Sequence, residues 1–218
     1  MKTILNIFIL GALAIGLLMM FKIPGVAAGT TLLKNNDDLM DAKPMNETYE
    51  TAYLAGGCFW CTESEYRALN GVVFTRVGYM GGEIDDPTYQ DITTGKTGHA
   101  EIVEVTYDPA QLSYKELLEF FLTKAHDPTQ LNRQGVDVGT QYRSAIFYDT
   151  DEQKQIAQGI IDDVNKRGVY GEPIVTTLEP ADTFWLGEDY HQQYYEKYNE
   201  QNGRDHIRVI LKKAGKLK

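Results

Sequence analysis

A chain of 218 residues that is 43% hydrophobic and 24% charged can bury one sizeable core, which excludes a disordered or fibrous protein and leaves some sequence over at the ends. Its formal charge of -10 argues against a nucleic-acid surface, the more so because the six Lys and Arg from Gly203 onward face a single Asp and leave 15 positive and 30 negative side chains before them. That basic tail, from Arg204 to Lys218, reads as a short solvated charge cluster, with contact to acidic lipid or acidic partners as the alternative.

At the N-terminus, Ile4 to Phe21 is an 18-residue apolar stretch in which Asn6 is the one strongly polar residue, flanked by Lys2 and Lys22. It reads as an export segment. Val26-Ala27-Ala28 supplies small residues for cleavage near Ala28, yet 18 residues also suffice for an uncleaved anchor, so residues 1–28 are expected to be a signal peptide or a membrane anchor. The expected location is periplasmic or otherwise extracytoplasmic, with membrane association through this segment left open. Residues 29–48 are polar and irregular and read as a linker.

The folded domain is expected over residues 49–202. Glu50 to Ala55 has strand character and runs into a turn at Gly56-Gly57, after which Thr62 to Leu69 has helix-forming composition ending at Asn70-Gly71, which places Cys58 at a strand-to-helix junction. Val72 to Tyr79 reads as a strand, Glu83 to His99 as a long loop, and Ala100 to Tyr107, with its alternating Ile102, Val103 and Val105, as a second strand. Ser113 with Glu116 forms a capping-box pattern ahead of a helix whose apolar face is Leu117, Leu118, Phe121 and Leu122. After a loop from Thr129 to Thr140, Gln141 to Tyr148 reads as a strand and Thr150 to Lys166 as an amphipathic helix. Ile174 to Leu178 reads as a strand, and the aromatic run Asp189 to Tyr198 as a helix. Strands alternating with helices imply an α/β or α+β two-layer domain.

Cys58 and Cys61 are the two cysteines of the chain. In an oxidising compartment a pair usually means a structural disulfide, but a bridge across Cys-x-x-Cys closes a tiny loop and restrains the unfolded chain little, whereas that spacing suits a pair that opens and closes. A thiol just before a helix also faces unpaired amides and the positive end of the helix dipole. Its pKa, about 8.5 when free, is then expected to fall, leaving Cys58 substantially ionised near neutral pH.

Gly57-Cys58-Phe59-Trp60-Cys61 followed by Glu63 resembles the signature of the peptide methionine sulfoxide reductase A family. So do Gly78-Tyr79-Met80-Gly81-Gly82, Asp86-Pro87-Thr88-Tyr89, Thr97-Gly98-His99-Ala100-Glu101, His126-Asp127-Pro128, Asp137 through Ser144, and Glu188-Asp189-Tyr190-His191-Gln192, in the family's order. The resemblance implies an α+β fold with a ferredoxin-like plait core, a mixed sheet with helices packed on it, and long functional loops. It implies Cys58 as nucleophile, Glu101 as acid, Tyr89 and Tyr142 as hydroxyl donors, Asp137 as organiser, Phe59 and Trp60 as the pocket for the S-methyl group, and Cys61 as the resolving thiol. The implied substrates are the S epimer of methionine sulfoxide in oxidised proteins and as the free amino acid. The implied reductant is thioredoxin or an exported thioredoxin-like protein; no bound cofactor, metal or nucleic acid is implied, and a monomer is expected.

Two departures from the family pattern bear on this. Many relatives carry Gly where Cys61 stands and keep resolving cysteines in the C-terminal tail, but Tyr198 to Lys218 has none, so Cys61 or an external thiol must resolve. Val138 stands where some relatives have His. Taken outside the motifs, Glu101 reads as a solvated strand-edge carboxylate, Asp137 as a turn cap, and Tyr89 and Tyr142 as packing residues. The stripe Tyr190, Tyr194, Tyr195 and Tyr198 also reads as packing, and His99, His126 and His191 as structural hydrogen-bonders. Two other functions fit the cysteine pair: a general thioredoxin-like dithiol oxidoreductase, which usually needs a Pro facing the thiols, and an exported binding domain with a permanent disulfide.

Overall fold

The computed structural model describes residues 49–216. The export-segment and linker readings, and the end of the basic tail at Lys218, lie outside the described residues. In chain order the first elements are β1 (Glu50–Gly56), α1 (Phe59–Arg67), β2 (Val72–Met80), α2 (Tyr89–Thr93), β3 (Ala100–Tyr107) and α3 (Tyr114–Phe120), which a π-helical turn, Phe121–Ala125, extends. A two-stranded hairpin follows, β4 (Arg133–Gln134) with β5 (Asp137–Val138), then a 3-10 turn at Thr140–Tyr142 and β6 (Ser144–Tyr148). The chain continues through α4 (Asp151–Arg167), β7 (Thr177–Pro180), β8 (Trp185–Leu186), α5 (Tyr194–Asn202) and α6 (Ile207–Lys213).

The main sheet has the order β7-β6-β1-β3-β2-β8. Its four central strands are all antiparallel neighbours, with α1 crossing from β1 to β2 and α3 from β3 to β6, which is the β-α-β-β-α-β plait expected from the resemblance. Because β7 joins β6 in parallel, the whole sheet is mixed. Alternation of side chains along β3 divides the core in two. Val103, Val105 and Tyr107 face the helices with Leu54, Leu117, Leu118 and Ile160, while Ala100 and Ile102 join Met80 and Phe147 in a smaller cluster on the opposite face. Leu117 and Leu118 are fully buried, each worth about 1.5–3 kcal/mol relative to exposure. Glu101 shares the parity of Val103, so the same alternation turns a carboxylate toward the helix layer.

The capping box read from the sequence is present: the Ser113 side chain accepts the Glu116 amide, and the Glu116 carboxylate accepts the Ser113 amide at 2.9 Å. Such a cap is worth about 1 kcal/mol. Other boundaries differ from the sequence reading for identifiable reasons. The first helix starts at Phe59, with Cys58 as its N-cap residue, because Trp60 and Cys61 are accommodated in the first turn. The strand expected from Gln141 begins at Ser144, since the Arg143 amide closes a turn on the Thr140 carbonyl. The loop expected over Glu83 to His99 contains α2, capped by a Thr88 and Asp91 box, and the late strand is Thr177–Pro180 in place of Ile174 to Leu178. Part of the basic tail forms α6 and is not simply solvated. Lys212 pairs with Glu65 of α1 at 3.0 Å, and Arg208 pairs with Asp137.

Candidate active site

Strand β1 carries the chain to the site and Gly57 turns it. At φ +90° Gly57 adopts a conformation that disfavours side chains, and a Cβ there would collide with Gln134. The turn sets Cys58 at the head of α1, where its carbonyl accepts from the Cys61 amide at 3.0 Å. Its thiol makes no cap bond. The next amide, Phe59 N–H, which the sequence reading left free to stabilise a Cys58 thiolate, instead donates to the Glu101 carboxyl at 2.9 Å. The expectation of a lowered Cys58 pKa is therefore corrected: a hydrogen bond with Cys61, then burial, then the charges of Cys61 and Glu101 push the thiol well up. Cys61 takes the opposite shift, to about 6, chiefly through the hydrogen bond from Cys58, with Tyr195 and Arg208 adding to it. The two thiols thus share a proton, giving up the first readily and the second with difficulty.

Glu101 is 2% exposed, and burial raises its pKa to about 8, with the field of Asp137 adding to the rise. It is a neutral carboxylic acid at pH 7. Its chain neighbours Ala100 and Ile102 are fully buried with it, so the reading of Glu101 on its own as a solvated strand-edge carboxylate does not hold. Tyr89 and Tyr142 lie close enough to Glu101, to Cys58 and to each other to feel their charges, and burial raises both phenols above their ordinary pKa. Each reaches the site by its own fastening. The Tyr89 amide donates to Glu188 at 2.8 Å, whereas the turn that presents Tyr142 is held by Arg143, which donates to the Thr140 and Gly98 carbonyls and grips Glu179 with two bonds of 3.1 and 3.0 Å.

Trp60 is fixed on both sides. Its indole stacks on Tyr194 with ring centroids 3.7 Å apart, and its N–H donates to His191 Nδ1 at 3.0 Å. Phe59, 1% exposed, lies in the core against Tyr79 and His191. Gln192 ties the same segment to the sheet, accepting from Val77 N–H at 2.9 Å and donating to the Val77 and Gly187 carbonyls. The histidines serve as structural hydrogen-bonders. His126 spans the Phe121 carbonyl and the Ser144 hydroxyl, His99 spans Gly82 N–H and the Ile84 carbonyl, and burial lowers the pKa of both His126 and His191 to about 4, keeping them neutral.

Asp137 sits at the start of β5 and binds Arg208 of α6 through two bonds of 2.7 Å. Arg208 and Tyr195 were both missed as site residues. Tyr195 reads as packing in an aromatic stripe, yet its hydroxyl lies 3.1 Å from Cys61 Sγ; Arg208 reads as tail charge, yet its guanidinium lies 3.9 Å from the same sulfur. Helical spacing carried a faint signal for Tyr195, which is the one residue of its helix buried against the core. Among the described residues no group of His, Cys, Asp and Glu is arranged to hold a metal, and no helix is long and apolar enough to cross a membrane.

Residues 50–217 match the family model of the peptide methionine sulfoxide reductases. The peptide methionine sulfoxide reductase MsrA of Deinococcus radiodurans is 52% identical over 169 residues, covering 78% of this chain and 81% of the relative. Among solved structures, Mxr1 of Saccharomyces cerevisiae in its reduced form superposes with a TM-score of 0.66 at 35% identity, covering 75% of this chain and 91% of that one. Mxr1 in complex with Trx2 gives a TM-score of 0.50 at 28% identity, covering 71% and 90%. A thiol pair at a helix start, a neutral buried acid and two phenols on a plait core thus coincide with a match over most of the chain, and the chain belongs to the peptide methionine sulfoxide reductase family.

Proposed function

We propose that this protein reduces the S epimer of methionine sulfoxide, in oxidised proteins and as the free amino acid, through Cys58. The observation that carries the reading is the neutral Glu101 buried beside Cys58 and the two phenols, since a sulfoxide oxygen becomes a leaving group only when protonated. Tyr89 and Tyr142 hold that oxygen by their hydroxyls, and the face of Trp60 receives the methyl group. A proton shift across the hydrogen bond between the thiols delivers Cys58 as thiolate. Its sulfur attacks the sulfoxide sulfur and Glu101 donates its proton to the oxygen. The protonated oxygen passes as hydroxyl from the substrate sulfur to Cys58 Sγ while the transient sulfur–sulfur bond breaks and leaves its electron pair on the substrate sulfur, so methionine departs reduced by two electrons and Cys58 is left oxidised by two as a sulfenic acid. Cys61 then attacks the Cys58 sulfur, water departs, and a disulfide forms. Both cysteines are free thiols here, the state in which such a cycle begins.

A dithiol of the thioredoxin type returns the disulfide to thiols by exchange, a reading supported by the yeast relative's complex with Trx2. Export is part of the proposal: the apolar run Ile4 to Phe21 supports it, and the donor is then a thioredoxin-like protein of that compartment. Turnover of separated S and R epimers with dithiothreitol and with thioredoxin tests the whole. Wild type consumes the S epimer with either donor, Cys58→Ser consumes neither epimer, and Cys61→Ser turns over with dithiothreitol alone. A wild-type enzyme that leaves both epimers intact removes the reading.

A further inference from the structure

The two thiols do not have equivalent surroundings. Cys58 faces the carboxyl of Glu101, whereas Cys61 faces a cation and a phenol brought from the far end of the chain. The Tyr195 hydroxyl on α5 is 3.1 Å from Cys61 Sγ, and the Arg208 guanidinium on α6 is 3.9 Å from it. Neither contact is loosely held. Arg208 is oriented by its two bonds of 2.7 Å to Asp137, while α6 is fastened to α1 by Lys212 and Glu65, and α5 to α1 by Arg67 and Glu196 at 2.8 Å. Burial keeps the Tyr195 phenol protonated, so it is available to donate to sulfur. A groove of about 370 Å³ opens between α1, α6 and the β4–β5 hairpin, and both Cys58 and Cys61 line it.

We infer that Arg208 and Tyr195 hold Cys61 as the anionic sulfur of the pair, so that the reducing dithiol attacks Cys58 and Cys61 is the sulfur that leaves. This rests on the reductase reading above and adds to it the direction of the recycling step. In a disulfide exchange the favoured bond cleavage expels the better-stabilised thiolate, and the attack falls on the other sulfur. Here a cation and a hydroxyl lie within hydrogen-bond reach of Cys61 Sγ, whereas Cys58 has no such direct contact and feels Arg208 only through its field, opposed by the charge of Glu101. The step balances as follows. The reductant's thiolate forms a bond to Cys58 Sγ, the Cys58–Cys61 bond breaks, and its electron pair stays on Cys61, facing Arg208 and Tyr195. The reductant's second thiolate then attacks its own sulfur in the mixed disulfide, Cys58 is released and takes up a proton, and the reductant leaves oxidised by two electrons. The same two groups serve the earlier step, because Cys61 must also be a thiolate to attack the Cys58 sulfenic acid.

The test uses full-length enzyme oxidised by S-methionine sulfoxide and a thioredoxin whose resolving cysteine is replaced by serine, so that the mixed disulfide persists. After an acid quench and alkylation of free thiols, fragmentation mass spectrometry of the peptide holding both cysteines locates the adduct. The expected product carries thioredoxin on Cys58 and the alkyl group on Cys61; the reverse placement overturns the inference while leaving the reductase activity standing. Thiolate absorbance supplies an independent readout in Cys58→Ser, where Cys61 titrates alone. The contribution of Cys58, which is the largest to the shift, is absent in this background, so the reading is the change: Arg208→Met is expected to raise the Cys61 titration by about one pH unit, about a tenfold loss of thiolate. Arg208→Lys, which keeps the cation, is expected to return part of that shift. If Arg208→Met changes the melting temperature without moving the titration, Arg208 is only a tether for α6 and the inference fails.

Discussion

The sulfoxide side of the site and the recycling side are built by different means, although one pair of sulfurs serves both. On the sulfoxide side, Glu101 projects from the central strand β3, and Tyr89 and Tyr142 come from short turns fastened to the sheet by Glu188 and Arg143. Charge is suppressed there, with burial favouring the neutral form of the carboxyl and raising both phenols above their ordinary range. The recycling side is assembled from the hairpin and the two C-terminal helices, and it concentrates charge, with Asp137 and Arg208 only partly buried at 20% and 26% exposure. The difference follows from what each step needs. Protonating a poor leaving group calls for an acid that desolvation keeps loaded, whereas passing electrons between sulfurs calls for a stabilised thiolate that an outside protein can approach.

The largest expected effect that separates the two sides belongs to Glu101→Gln. The amide retains the acceptor for Phe59 N–H but has no proton to give, so methionine release should slow by about 10²–10⁴-fold. The pH profile gives the sign. Below about 6 both thiols are protonated and no nucleophile is present, and above about 8 Glu101 has lost its proton, so wild-type activity should be bell-shaped between these limits. In Glu101→Gln the alkaline limb should vanish and the acid limb remain. A variant that keeps its alkaline limb would assign that limb to another group. Tyr142→Phe tests the same side less severely. Losing one of two hydroxyls that hold the oxygen should lower kcat/KM by about tenfold, within the range of one lost hydrogen bond to developing charge, and should leave the alkaline limb near pH 8. A loss as deep as that of Glu101→Gln would instead make the phenol the proton donor.

The two sides were not equally legible in the sequence. Glu101 was legible through the motif Thr97 to Glu101; taken alone it reads as a solvated strand-edge carboxylate, and its core parity with Val103 and Val105 emerges only in the folded strand. The strand-to-helix junction at Cys58 was legible from Gly56-Gly57, though not the helix's first turn from Phe59, and the cap at Ser113 was legible from its spacing to Glu116. Hidden from the sequence was everything that depends on contacts between distant segments. Phe59 N–H is taken by a residue 42 positions away, and the Cys58 thiol is pushed up by its hydrogen bond with Cys61, by burial and by the charges of Cys61 and Glu101. Tyr195 and Arg208 reach Cys61 across 134 and 147 positions, and nothing local distinguishes Tyr195 from its neighbours in an aromatic helix or Arg208 from other tail charges. The 3-10 turn that carries Tyr142 was read as strand for the same reason, since Arg143 shapes it by reaching to Gly98 and Glu179.

Asp137 lies where the two sides meet, and Asp137→Asn should give the smallest of these effects and the most informative one. Its carboxylate pairs with Arg208 on the recycling side and, through its negative field, raises the pKa of Glu101 on the other. Replacing it by a neutral amide removes a charge that opposes ionisation of Glu101 and leaves the Arg208 cation less compensated. Both changes favour the Glu101 carboxylate, so its pKa should fall from about 8 and the alkaline limb of activity should move to lower pH, by well under one pH unit for a charge acting at a distance near solvent. If the limb stays in place while thioredoxin-driven turnover falls, Asp137 acts only by orienting Arg208, and the two sides are coupled through the shared sulfurs and not through charge. A limb that moves as expected makes Asp137 the residue that ties proton supply on one side to thiolate stabilisation on the other.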